Sequence, residues 1–100
     1  MEAAEVARLE RATVAALAPR QVLEADGWIL ALDPGPMGRA RSAAPLSHDP
    51  PPGLTPGLAG AYVAAGLPPA FRLPDLPPFD AVRSQLAAEG YRASEPTWVM

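Results

Sequence analysis

Fourteen prolines in one hundred residues limit every helix and strand this chain can form, because each removes a backbone donor and locks φ. Regular structure must fit between them. Five of the fourteen fall between Pro45 and Gly57, so residues 45–55 read as an extended surface loop with polyproline character. The chain is 49% apolar and 19% charged, proportions that fit one domain with one core. Every basic residue is arginine, and the 21 alanines that accompany them match a GC-rich codon preference, so composition by itself carries no function.

Residues 2–18 form the first expected element. Val6, Leu9, Thr13, Ala16 and Leu17 recur at spacings of three and four, the mark of an amphipathic helix. Glu2, Glu5 and Glu10 lie toward its start and Arg8, Arg11 and Arg20 toward its end, an order that complements the helix dipole. Pro19 stops it. Residues 27–32 are apolar on both alternating faces, as in a central strand covered on two sides. Asp33-Pro34-Gly35-Pro36 is a dense turn signal, and residues 39–44 then read as the second strand of an antiparallel hairpin. That strand would set Arg39 and Arg41 on one face and Ser42 on the other. A helix over 56–65 starts from Thr55 and Pro56, with Leu58, Ala61, Tyr62 and Ala65 on one face and Gly66 as its stop. A short strand over 70–73, a helix over 79–89 ended by Gly90, and a last strand over 91–100 complete the order helix, strand, strand, helix, strand, helix, strand. The expected fold class is α+β: a small, mostly antiparallel or mixed sheet with three helices, in one domain over residues 1–100.

The chemistry-bearing residues are sparse. A formal charge of −3 argues against general nucleic-acid binding, and no apolar run approaches the ~20 residues that cross a bilayer. The absence of cysteine fits a reducing cytoplasm and removes thiol chemistry. One histidine without thiols makes a poor metal centre, so no metal is expected. Ser47-His48-Asp49 has the letters of a triad, but consecutive residues of an extended loop point apart. Gly35-Pro36-Met37-Gly38 lacks the donors and the lysine of a phosphate loop. Asp75 and Asp80 straddle Pro77-Pro78, with nothing to force them together, and read as solvated or capping acids. The candidate substrate-binding residues are therefore Trp28, Arg39, Arg41 and Ser42: two guanidinium forks for a carboxylate or phosphate, one hydroxyl and one aromatic wall.

Three segments taken together resemble the amino-terminal region of certain bacterial GNAT superfamily N-acetyltransferases. They are Arg39-Ala40-Arg41-Ser42-Ala43-Ala44-Pro45-Leu46, then Tyr62 through Gly66-Leu67-Pro68-Pro69-Ala70-Phe71-Arg72, then Gly90-Tyr91-Arg92 through Pro96-Thr97-Trp98-Val99-Met100. Gly27-Trp28-Ile29-Leu30 is similar to the start of that family's first strand. Arg41 stands where the family has asparagine, and Ala61 where it has the first residue of an aromatic pair. The resemblance implies a partial GNAT-like half whose full-length parent uses acetyl-CoA. The family's Arg/Gln-x-x-Gly-x-Gly/Ala turn, whose amides hold the pyrophosphate, is absent from this sequence, so these residues by themselves are expected to bind no acetyl-CoA.

Two functional expectations follow. In the first, the chain is the accessory amino-terminal lobe of a GNAT-type N-acetyltransferase; it packs on a catalytic lobe in the same or a partner chain, shapes the acceptor side, and is not catalytic alone. The second is a free-standing module that dimerises or binds a small ligand between Trp28 and Arg41. Both use the apolar terminal segment Thr97-Trp98-Val99-Met100 as an open sheet edge, with Trp98 and Val99 facing a partner. The expected compartment is the cytoplasm, with neither membrane nor nucleic acid as partner.

Overall fold

The computed structural model describes residues 3–35, 38–94 and 96–100. The chain is α+β: three α-helices pack on one mixed sheet of six strands. Helix α1 (Ala3–Leu17) is followed by strands β1 (Gln21–Ala25) and β2 (Trp28–Leu32), a 3-10 turn over Gly38–Arg41 and strand β3 (Ala43–Pro45). Helix α2 (Pro56–Ala64), strand β4 (Ala70–Arg72), a 3-10 turn over Pro77–Phe79, helix α3 (Asp80–Ala88) and strands β5 (Arg92–Ser94) and β6 (Thr97–Val99) complete it. The sheet order is β1-β2-β3-β4-β6-β5, antiparallel throughout except where β3 runs parallel to β4.

Strand β2 is buried along its whole length, as its apolar run on both faces requires. On one face Trp28, Leu30 and Leu32 join Leu58 and Tyr62 of α2, Phe71 of β4, and Val82 and Leu86 of α3. On the other, Ile29 and Ala31 meet Val14 of α1 and Ala44 of β3. Tyr62 is fully buried, and its hydroxyl donates to the carbonyl of Ala31 at 3.0 Å. Burial moves the phenol above its ordinary pKa.

Several expectations are corrected. The tight two-residue hairpin joins β1 to β2 across Asp26-Gly27; the expected antiparallel pairing of the 27–32 strand with the strand after it is present as β2 with β3, but over a longer connection that includes the turn Gly38–Arg41. Asp26 and Gly27 both have positive φ, 53° and 87°, the conformation of a two-residue turn that matches strand twist. A Cβ on Gly27 would stand 2.8 Å from Cβ of Pro52, so the proline-rich loop packs directly on this turn. Residues 39–44 are not one strand. Gly38–Arg41 makes a helical turn that buries Ala40, and only Ala43–Pro45 pairs with β2. Alternating arginine and alanine suits either geometry.

On α1 the buried stripe is Val6 and Val14 with the half-buried Glu10 between them, whereas Leu9 is 43% exposed. Glu10 turns inward because Arg72 of β4 reaches it at 2.9 Å. Glu2 lies outside the described residues. Thr55 precedes α2, but its hydroxyl donates to Asp26 at 2.6 Å and caps no helix amide. The last expected strand, 91–100, is a hairpin of two three-residue strands, and β6 is bonded to β4 on one side and β5 on the other. The terminal segment is therefore not an open edge, which overturns the edge role given to Trp98 and Val99. The sheet's edges are β1 and β5.

The Asp33 carboxylate accepts from the amides of Gly35 and Arg20, each at 2.8 Å, and these bonds hold its pKa below the ordinary carboxylate range. Glu24 is lowered mainly by its hydrogen bonds from Arg11. A carboxylate depressed in the folded state contributes stability above its unfolded pKa and loses it as pH falls through the folded one. Thermal midpoints should accordingly hold from pH 7 to about 5 and fall below roughly pH 4, and Asp33→Asn should flatten that fall. Tyr62→Phe should cost about 1–2 kcal/mol in urea unfolding at unchanged m-value, because Ala31 loses its buried donor.

Candidate functional site

The register decides which side chains share a face. Ala70 stands opposite Val99, Arg72 opposite Thr97, and Thr97 opposite Ser94. Ala70, Val99, Thr97 and Ser94 therefore project with Arg72, whose guanidinium bonds Glu10 of α1. Helix α1 packs its Val14 over β2 and β3 on this face. Over β4 and β6, beside the helix, the sheet forms the floor of a hollow of about 240 Å³. Ala70, Thr97 and Val99 line the floor, Ser94 one side, and Leu67, Pro68 and Arg41 the other.

Arg41 is exposed, and no acidic side chain among the described residues pairs with it. The ion pairs among the described residues engage Arg11, Arg72 and Arg83. A hollow lined by Arg41, by the hydroxyl-bearing Ser94 and Thr97, and otherwise by apolar side chains has the chemistry for a small molecule with an anionic end and an apolar body.

Of the four residues expected to bind substrate, the structure brings only Arg41 to this hollow. Trp28 lies in the core at 0% exposure, its ring edge-on to Phe71 at 5.2 Å and its Nε1 donating to the carbonyl of Gly53 at 3.0 Å. Ser42 is buried as well. Neither is presented to a ligand, because the helical turn before β3 rotates Ser42 inward and β2 carries Trp28 beneath the proline-rich loop. The side chain of Arg39 lies outside the described residues. Trp98 packs on the core cluster, while Val99 faces the hollow.

Thr97 and Ser94 were missed as site residues. Pro96 was the available signal: as a turn between two short strands it folds Ser94 back opposite Thr97. Ser47, His48 and Asp49 do not converge, since the Ser47 hydroxyl donates to the carbonyl of Pro50 and the His48 ring stacks edge-on against Phe79. Asp75 and Asp80 do share a partner, with Arg83 at 3.7 and 2.7 Å, so they pin the turn before α3. A second hollow, between α2 and α3, includes Gln85, Glu89 and Tyr91; burial raises the Tyr91 phenol and the Glu89 charge adds to it. Among the described residues no three histidine, aspartate or glutamate side chains stand close enough to hold a metal ion, and no helix is long and apolar enough to cross a membrane.

No protein-family model, no curated protein and no solved structure matches the chain.

Core and ligand roles separate by substitution. Arg41→Ala should leave the unfolding midpoint within about 0.5 kcal/mol of the parent, as exposed changes do. Trp28→Phe should lower stability by about 1–3 kcal/mol, since it removes buried ring volume and leaves the Gly53 carbonyl without its donor.

Proposed function

We propose that the chain is the accessory amino-terminal lobe of a GNAT-type N-acetyltransferase, which packs on a catalytic lobe and shapes the acceptor side of its site. The observation that carries this reading is the hollow beside α1, over β4 and β6, lined by Arg41, which has no acidic partner among the described residues. The resemblance of its three segments supports it as well, for each contributes to the hollow: Arg41 from the first, Leu67, Pro68 and Ala70 from the second, Thr97 and Val99 from the third. In this role Arg41 binds the anionic end of the acceptor, and the apolar floor takes its body. A catalytic lobe supplies the acetyl-CoA site, and acetyl transfer occurs between the two. The site is a positioning surface with no catalytic group of its own.

Two measurements test the reading. Isothermal calorimetry of these hundred residues with acetyl-CoA should give no heat of binding, and the reading frame past Met100, or a co-purifying chain, should supply the pyrophosphate turn. Acetyl-CoA bound by this chain alone, or the lack of any such turn in either place, would sink the proposal. In the assembled enzyme Arg41→Ala should raise KM for the acceptor about tenfold to a hundredfold, the loss expected for one charge-assisted hydrogen bond, with KM for acetyl-CoA unchanged.

A further inference from the structure

We infer that β1 is a self-complementary edge through which two copies of the chain pair antiparallel, joining their sheets into one. The inference is independent of the lobe reading and rests on a different part of the molecule.

The direction of each backbone group in β1 follows from its hairpin. The Asp26-Gly27 turn closes on the pair Ala25↔Trp28, and a two-residue turn of this type makes its closing pair hydrogen-bonded. Ala25, Leu23 and Gln21 therefore turn their N–H and C=O groups toward β2. The far side of β2 agrees, since Gly27 and Ala31 spend theirs on the other neighbour, with Leu46 N–H on the Gly27 carbonyl at 2.8 Å and Ala31 N–H on the Ser42 carbonyl at 3.4 Å. Val22 and Glu24 are left pointing outward from the sheet.

A second β1 laid antiparallel about a two-fold axis at Leu23 sets Val22 of each copy against Glu24 of the other. Both pairs are then hydrogen-bonded, giving four N–H to carbonyl bonds, and the two Leu23 side chains meet in the closer, non-hydrogen-bonded pair. A one-residue shift would bring inward-facing groups to the seam, and an axis at Val22 or Glu24 would pair only one of the two outward-facing residues within the strands, so the Leu23-centred alignment makes the most hydrogen bonds.

The side chains are suited to it. Val22 and Leu23 are 42% and 39% exposed, and Leu23 lies on the same face as Leu30, so a Leu23 pair extends the main core across the seam. Edges are ordinarily blunted by proline, lysine, a bulge or extreme shortness. Strand β1 has five residues in unbroken register and none of these devices. Its single charge, Glu24, is held by Arg11 through both carboxylate oxygens at 2.9 and 2.8 Å, which neutralises it. The opposite edge, β5, is three residues long and carries Arg92, so it is the blunted one.

A seam of one strand pair falls in the small interface class, below about 1,200 Å², so association is weak and the test spans about 1 µM to 1 mM. Sedimentation velocity of the unmodified chain should pass from monomer to dimer within that range. Hydrogen exchange should slow at the amides of Val22 and Glu24 as concentration rises, with no change at Arg92 through Ser94. Val22→Pro removes an outward donor without touching a bond to β2, and Leu23→Lys sets two like charges face to face; each should keep the chain monomeric at 1 mM with its far-UV circular dichroism retained. A monomer throughout the range for the unmodified chain overturns the inference. So does a dimer that survives both substitutions, or one whose exchange protection appears at β5.

Discussion

The dryness of one indole organises this molecule. Trp28 begins a five-residue strand buried along its entire length, and three separate pieces of chain converge on it: Phe71 of β4 edge-on to its ring, Gly53 of the proline-rich loop on its nitrogen, and the α2 and α3 side chains that share its cluster. The loop has almost no regular structure of its own, so its path is set by what it touches. Trp28 takes the Gly53 carbonyl and Gly27 admits the Pro52 ring. Two adjacent residues, one large and one without a side chain, thus seat the middle of the loop, while Thr55 on Asp26 and His48 on Phe79 hold it on either side.

The charged groups orient elements that the apolar contacts already hold together. Arg72 and Glu10 link β4 to α1 across the sheet with both side chains largely covered, whereas Arg11 and Glu24 are about half exposed. Exposed pairs of the second kind contribute little to stability. Arg83 gathers the carbonyls of Pro74 and Leu76 together with Asp80, fixing the bend between β4 and α3. Arg41, like Arg8, Arg20 and Arg92, takes no part in these ion pairs among the described residues, but it alone of the four lines the hollow.

Elements with strong periodicity or a hard stop were legible in the sequence. The helices over 2–18, 56–65 and 79–89, the buried strand at Trp28 and the stops at Gly66 and Gly90 all have local causes, and the structure has them with ends shifted by a residue or two. Strand β1 escaped notice because Gln21–Ala25 is exposed on every residue and so lacks the alternation that marks a half-buried strand. Asp26-Gly27 was its one clear sign. The stretch 39–44 misled because alternating large and small residues satisfies a tight helical turn as well as a strand. The site was less legible than the fold: Arg41 was found by its chemistry, but Thr97 and Ser94, set opposite each other by the local hairpin at Pro96, join it only through the long-range pairing of β6 with β4, which no local pattern encodes.

The single parallel pairing, Ala43 beside Phe71, divides the sheet into two antiparallel triplets, β1-β2-β3 and β4-β6-β5. The two triplets meet at one register pair, and α2 spans that junction through Leu58 and Tyr62, which share a core cluster with residues of both. Arg41 belongs to the first triplet and the floor of the hollow to the second. The hollow therefore spans the junction of the two triplets, on the face of the sheet opposite α2, so its shape depends on how the triplets are set against each other.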